Sequence, residues 1–71
     1  MKFDYSKLKG RMVEKGYIQS TLAKAIGIST ASVQSKLAGR SVFNAYELYL
    51  IKKALEIPGA EVNDYFFTMK P

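Results

Sequence analysis

Apolar residues recur along this chain at intervals of three and four, without sustained alternation, so the pattern predicts helices and no strands. From Tyr5 to Lys15 the spacing puts Leu8, Met12 and Val13 on one helical face, with Lys7, Lys9, Arg11, Glu14 and Lys15 outside. Gly10 within this segment costs about 1 kcal/mol relative to alanine, which points either to a close neighbour or to simple tolerance. Gly16 suits the left-handed residue that closes a helix. A second helix, Gln19–Ile26, follows at once and turns Leu22, Ala23 and Ile26 inward. Ile18 before it offers no side-chain acceptor and is a poor cap. Gly27 breaks this helix, Ile28 plugs the turn and Ser29 caps a third helix, Thr30–Ala38, whose Val33 and Leu37 face inward at i, i+4 spacing.

Arg40–Phe43 is a short connector ending in a core plug, Phe43. Asn44 followed by Glu47 makes a capping-box start for a fourth helix, Ala45–Leu55, with Leu48, Ile51 and Leu55 as its inner stripe. Pro58-Gly59 interrupts the chain, and Ala60–Phe67 reads as a last short helix whose Val62 and Phe66 pack back. Residues 1–4 and 68–71 are expected to be loose termini. The expectation is an all-α fold: a compact bundle of five short helices in one domain spanning 1–71, with a helix-turn-helix formed by helices two and three.

At 71 residues the chain supports one small core, and 48% hydrophobic with 24% charged residues places it among ordinary globular proteins. No apolar run approaches the roughly 20 residues of a membrane span and no signal-peptide pattern opens the chain. The expected compartment is the cytoplasm, with no membrane partner. Without cysteine or histidine there is no disulfide, no thiolate or imidazole metal site and no histidine general acid or base, so neither metal nor cofactor is expected. The six carboxylates show no pairing pattern, and an enzyme is not expected.

Net charge is +5, and its distribution says more than its total. Residues 1–40 carry eight Lys or Arg against Asp4 and Glu14, whereas residues 41–71 carry three lysines against four carboxylates. The positive half holds the helix-turn-helix. That suits a polyanion, although a solvated basic surface gives the same totals. With Val33 and Leu37 inward, Thr30 and Gln34 share the outer face of helix three, flanked by Ala31 and Ser35. In a major groove a glutamine amide matches the donor–acceptor edge of adenine, and methyl or hydroxyl groups meet thymine methyls and base edges. Thr30, Ala31, Gln34 and Ser35 are therefore the candidate base-reading residues. Gln19 and Asn44, at two helix starts, and Lys36 and Arg40, at the end of helix three, are the candidate phosphate contacts. Phe43, Tyr46, Tyr49, Tyr65, Phe66 and Phe67 cluster late and read mainly as core, with an exposed subset as an interaction surface in the rival reading.

These residues resemble the Cro/lambda-repressor-like, or XRE-like, helix-turn-helix family. The resemblance runs through Leu8, Gly16-Tyr17-Ile18-Gln19, Leu22-Ala23, Ile26-Gly27-Ile28-Ser29, Val33, Gly39-Arg40, Asn44, Leu48 and Ala54-Leu55, over about residues 6–67. In size the chain looks like short phage Cro-type regulators. The resemblance implies sequence-specific binding to double-stranded operator DNA and repression in a phage or prophage switch. It carries base reading to Thr30, Ala31, Gln34 and Ser35, and phosphate anchoring to Gln19, Asn44 and Arg40. Three departures stand out: Ile18 where relatives have a Ser, Asn or Thr cap, short Thr30 and Ala31, and Met12 with Leu37 where many relatives have an Arg–Glu pair. Met12 and Leu37 are expected to pack together, which avoids the desolvation cost of a buried ion pair. A homodimer would set half-sites about one helical turn apart, roughly 34 Å. The rival expectation is a protein-interaction module of the same fold, an antirepressor or modulator that binds a partner repressor.

Overall fold

The computed structural model describes residues 2–70. Its elements are α1 (Ser6–Glu14), α2 (Gln19–Ile26), α3 (Thr30–Leu37), α4 (Ala45–Ala54), a single 3-10 turn at Gly59–Glu61, and α5 (Val62–Phe66). The all-α expectation is met, with α2 packed against both α3 and α4 and α5 packed on α1. One cluster of buried side chains fills the centre, with Leu8, Leu22, Val33, Ile51, Leu55 and Phe66 fully enclosed. Met12 and Leu37 are both buried in that cluster, so neither side chain points into solvent. No helix among the described residues is long and apolar enough to cross a membrane.

Several expectations need correction. Val13, expected on the inner face, is 77% exposed. The stripe that α1 buries runs Tyr5, Leu8, Met12, and one further residue rotates by about 100° out of it. Arg11, expected in solvent, is half-buried: its Nε donates to the Leu55 carbonyl at 2.9 Å and its Nη2 to the Glu56 carbonyl at 2.8 Å. A guanidinium fork suits two adjacent carbonyls, and here it ties α1 to the end of α4. Glu56 needs that support, since it terminates α4 at φ +53°, a conformation favoured by glycine. No atom lies within 4 Å of a Cβ built on Gly10, which leaves tolerance as the reading.

The termini are not loose among the described residues. Phe3 bridges Met69, the Asp4 amide donates to the Thr68 carbonyl at 2.6 Å, and the Lys70 amide donates to the Lys2 carbonyl at 2.9 Å. Phe3 also stands edge-on to Phe67 at 5.9 Å. Residues 2–4 and 68–70 thus form a clasp, while Met1 and Pro71 lie outside the described residues. The last helix begins later than expected because Pro58 and Gly59 open a 3-10 turn, in which the Glu61 amide donates to the Pro58 carbonyl at 2.9 Å.

Candidate nucleic-acid interface

The turn between α2 and α3 depends on Gly27, whose φ of +76° suits a residue without a side chain. The amides of Gly27 and Ile28 both donate to the Ala23 carbonyl, at 2.9 and 3.1 Å, closing α2. Ile28 is half-buried against the core, and the Ser29 Oγ accepts from the Ser32 amide at 3.0 Å, opening α3. Ile18, lacking an acceptor, is compensated from the other side: the Thr21 hydroxyl oxygen accepts from the Ile18 amide at 2.9 Å. That half of a capping box secures the start of α2, where Gln19 is exposed.

With Val33 fully enclosed and Leu37 buried, α3 turns Thr30, Ala31 and Gln34 to solvent and leaves Ser35 half-buried. The four base-reading candidates therefore lie on one short helix, three of them freely accessible. Arg40, just beyond α3, is exposed as well.

The other phosphate candidates are less available. Asn44 is exposed, but its Oδ1 accepts from the Glu47 amide at 2.8 Å, while the Glu47 Oε1 accepts from the Asn44 amide at 2.9 Å. Lys36 is drawn further in. Its ammonium donates to the Val42 carbonyl at 2.9 Å, lies 3.5 Å from the Glu47 Oε1, and hangs over the Phe43 ring at 5.9 Å, with 17% of the side chain exposed. Glu47 explains this. It is the one buried charged residue among the described residues, 7% exposed, and an enclosed carboxylate requires a partner. In the free chain Lys36 is a clip between α3 and the start of α4, not an open phosphate contact.

Charge is laid out by sides. From Lys15 to Leu55 the chain contains a single acid, Glu47, and that one is turned inward. The surface carried by α2, α3 and the connector therefore exposes no carboxylate. The remaining acids belong to the other side, where Lys7 pairs with Asp64 at 3.7 Å, Arg11 with Glu14 at 4.0 Å and Lys15 with Glu56 at 3.3 Å. No ion pair among the described residues engages Lys24, Arg40, Lys52 or Lys53. Sequence reasoning missed one cation here. A Cβ built on Gly39 would lie 3.0 Å from the Lys2 Cδ, so the clasp lays Lys2 over the end of α3, beside Arg40. Only the pairing of the two chain ends reveals it.

The chain is similar to known proteins. A solution structure of the modulator of repression (MOR) of the temperate bacteriophage TP901-1, from Lactococcus lactis, superposes with a TM-score of 0.76 and 33% identity, covering 94% of this chain and 90% of that one. An uncharacterized transcriptional regulator in the ATPase CF(0) region of Rhodospirillum rubrum is 44% identical over 50 residues, which is 70% of this chain and 43% of the relative. The chain thus spans less than half the length of that curated relative. The match to a family described as "Protein of unknown function (DUF739)" extends over residues 1–69, and the chain belongs to that family.

Proposed function

We propose that this chain is a sequence-specific DNA-binding transcription regulator of a phage or prophage switch, acting as a Cro-like repressor that lays α3 in a major groove. One observation carries the reading: Thr30, Ala31 and Gln34 are presented outward by buried Val33 and Leu37, on a surface from which every carboxylate is absent or withdrawn. Base edges are met by Gln34 and its small neighbours, and phosphates by Gln19, Arg40 and Lys2. The short side chains leave room for DNA shape to contribute to selectivity. The test is selection of bound sequences from a random duplex pool. A recurring motif is the expected outcome, palindromic if two copies bind; recovery of unselected sequence ends the reading. Each phosphate contact adds about 0.9 to the logarithmic salt slope.

A second reading has its own support. The superposable phage protein is named for modulating repression, and Lys36 and Asn44 spend their polar groups internally. Under this reading the chain binds a partner repressor as a modulator or antirepressor. Retention on heparin with loss in salt, set against co-elution with a candidate repressor in size exclusion, separates the two.

A further inference from the structure

We propose that the outer face of α4 is a docking surface for an acidic segment of another protein. It is independent of whether α3 reads DNA.

Solvent-facing helix sides in small proteins are normally covered by charged and polar residues. This one is aromatic. Tyr46 is 68% exposed and Tyr49 52% exposed, and they fall at i, i+3 on one side of the helix. Their rings are stacked, 6.4 Å apart with 19° between planes. Lys53, four residues on, holds its ammonium over the Tyr49 ring at 5.5 Å. The three side chains lie against one another in the free chain, and contacts of that kind reduce the rotamer freedom to be lost on association. Tyrosine is a preferred anchor at protein interfaces because it offers large area with few rotatable bonds.

The charge of this face selects the occupant. Glu47 is the one acid of α4, and it is turned into the core against Lys36. What remains outside is Lys53 and aromatic area, with Lys52 half-buried alongside and no carboxylate among them. A second copy of the chain is a poor match, because each copy carries +5 and two such faces would set lysine against lysine. Duplex DNA is a poor match too: exposed aromatic rings earn their affinity by stacking on unpaired bases, which a duplex keeps stacked within itself. An acidic stretch of another protein, with apolar residues to lie on the tyrosines, answers both features.

The experiment places a photo-reactive benzoylphenylalanine at Tyr49 or, separately, at Tyr46 in the full chain, with the same group at exposed Val13 on α1 as control. Cross-linking is done in the native host and the adducts are sequenced. The expected result is one protein captured from both α4 positions and not from Val13, joined through a segment rich in Asp and Glu. Lys53→Glu, at an exposed site, should lower that adduct roughly tenfold by removing electrostatic attraction, with an unchanged circular dichroism spectrum. Gln34→Ala should leave it intact. Adducts to DNA or to a second copy, the same mixture as from Val13, no adduct, or indifference to Lys53→Glu would each overturn the proposal. If the native chain selects no DNA motif but still gives the adduct, only the DNA reading falls; if it selects a motif but gives no adduct, only the docking proposal falls.

Discussion

The outer sides of α3 and α4 make an instructive pair. Both belong to short helices whose inner sides share one core, and neither exposes a carboxylate. Yet α3 shows Thr30, Ala31 and Gln34, small or slender polar groups, whereas α4 shows stacked Tyr46 and Tyr49 beside Lys53. Charge alone would assign both to any anion. Side-chain shape separates them: thin polar groups fit the hydrogen-bonding edges of a groove, and broad rings fit another protein's apolar surface. Between the two sides sits the Lys36–Glu47 pair, which keeps the acid off both.

The largest expected effect comes from removing that divider. Glu47→Ala should cost about 3 kcal/mol of stability, since it strands a largely enclosed ammonium and removes half of the α4 capping box. Urea denaturation measures it, and the double change Lys36→Met with Glu47→Leu should recover most of the loss, because a packed apolar pair substitutes well for a buried ion pair. The gentler Glu47→Gln speaks to function. If α3 binds DNA, a released Lys36 becomes a new phosphate contact and steepens the salt slope by about 0.9. Lys36→Met in the native background should leave the slope unchanged, while Arg40→Ala should lower it by about 0.9.

Next in size is the discrimination carried by one side chain. Gln34→Ala should cost on the order of 1–3 kcal/mol at a single base position and leave non-specific binding nearly intact. Tyr49→Ala should do neither. Equal losses from both substitutions on every sequence would show that the two sides act as one electrostatic surface, and the contrast drawn between them would fall.

Much of this arrangement was legible in residue spacing. The helix-turn-helix, Ser29 as cap, and the Asn44–Glu47 capping box follow from local rules that act within four residues, and the structure has them. What escaped depends on long-range pairing. The capping box showed Glu47 at the start of a helix but not its burial, which is set by Lys36 reaching over from α3. The clasp of residues 2–4 with 68–70 joins the two ends of the chain, and no periodicity encodes it. Arg11 looked like solvent-facing charge because its acceptors, the Leu55 and Glu56 carbonyls, lie more than forty residues away. The candidate site residues were readable as types at positions; their availability was not.

Glu56 shows the same limit in energetic form and carries a smaller effect. Held at φ +53°, it accepts strain that glycine would not, offset by the Arg11 fork on its carbonyl. Glu56→Gly should therefore stabilise the chain by roughly 0.5–1 kcal/mol, with the exposed Lys15 pair contributing little to lose. A rise in the thermal midpoint checks it. Neither α3 nor α4 should change what it binds.

The smallest effect reaches both sides through the core they share. Tyr5 is buried edge-on to Phe43, 5.7 Å between ring centres, in the connector that joins α3 to α4. Burial pushes its phenol above the ordinary value of 10.0, because an enclosed ring disfavours the phenolate. The sign follows from proton binding: the folded chain holds this proton more tightly than the unfolded one, so the contribution is complete below pH 10 and is lost as pH rises through the higher folded-state value. The urea midpoint should therefore stay level as pH approaches 10 and then decline, and Tyr5→Phe should remove that component of the decline. Since Phe43 anchors the connector, the loosening should appear in amide exchange on α3 and α4 together. Exchange confined to α1 would instead mean that the ring is held by its own helix and that the outer sides of α3 and α4 do not depend on it.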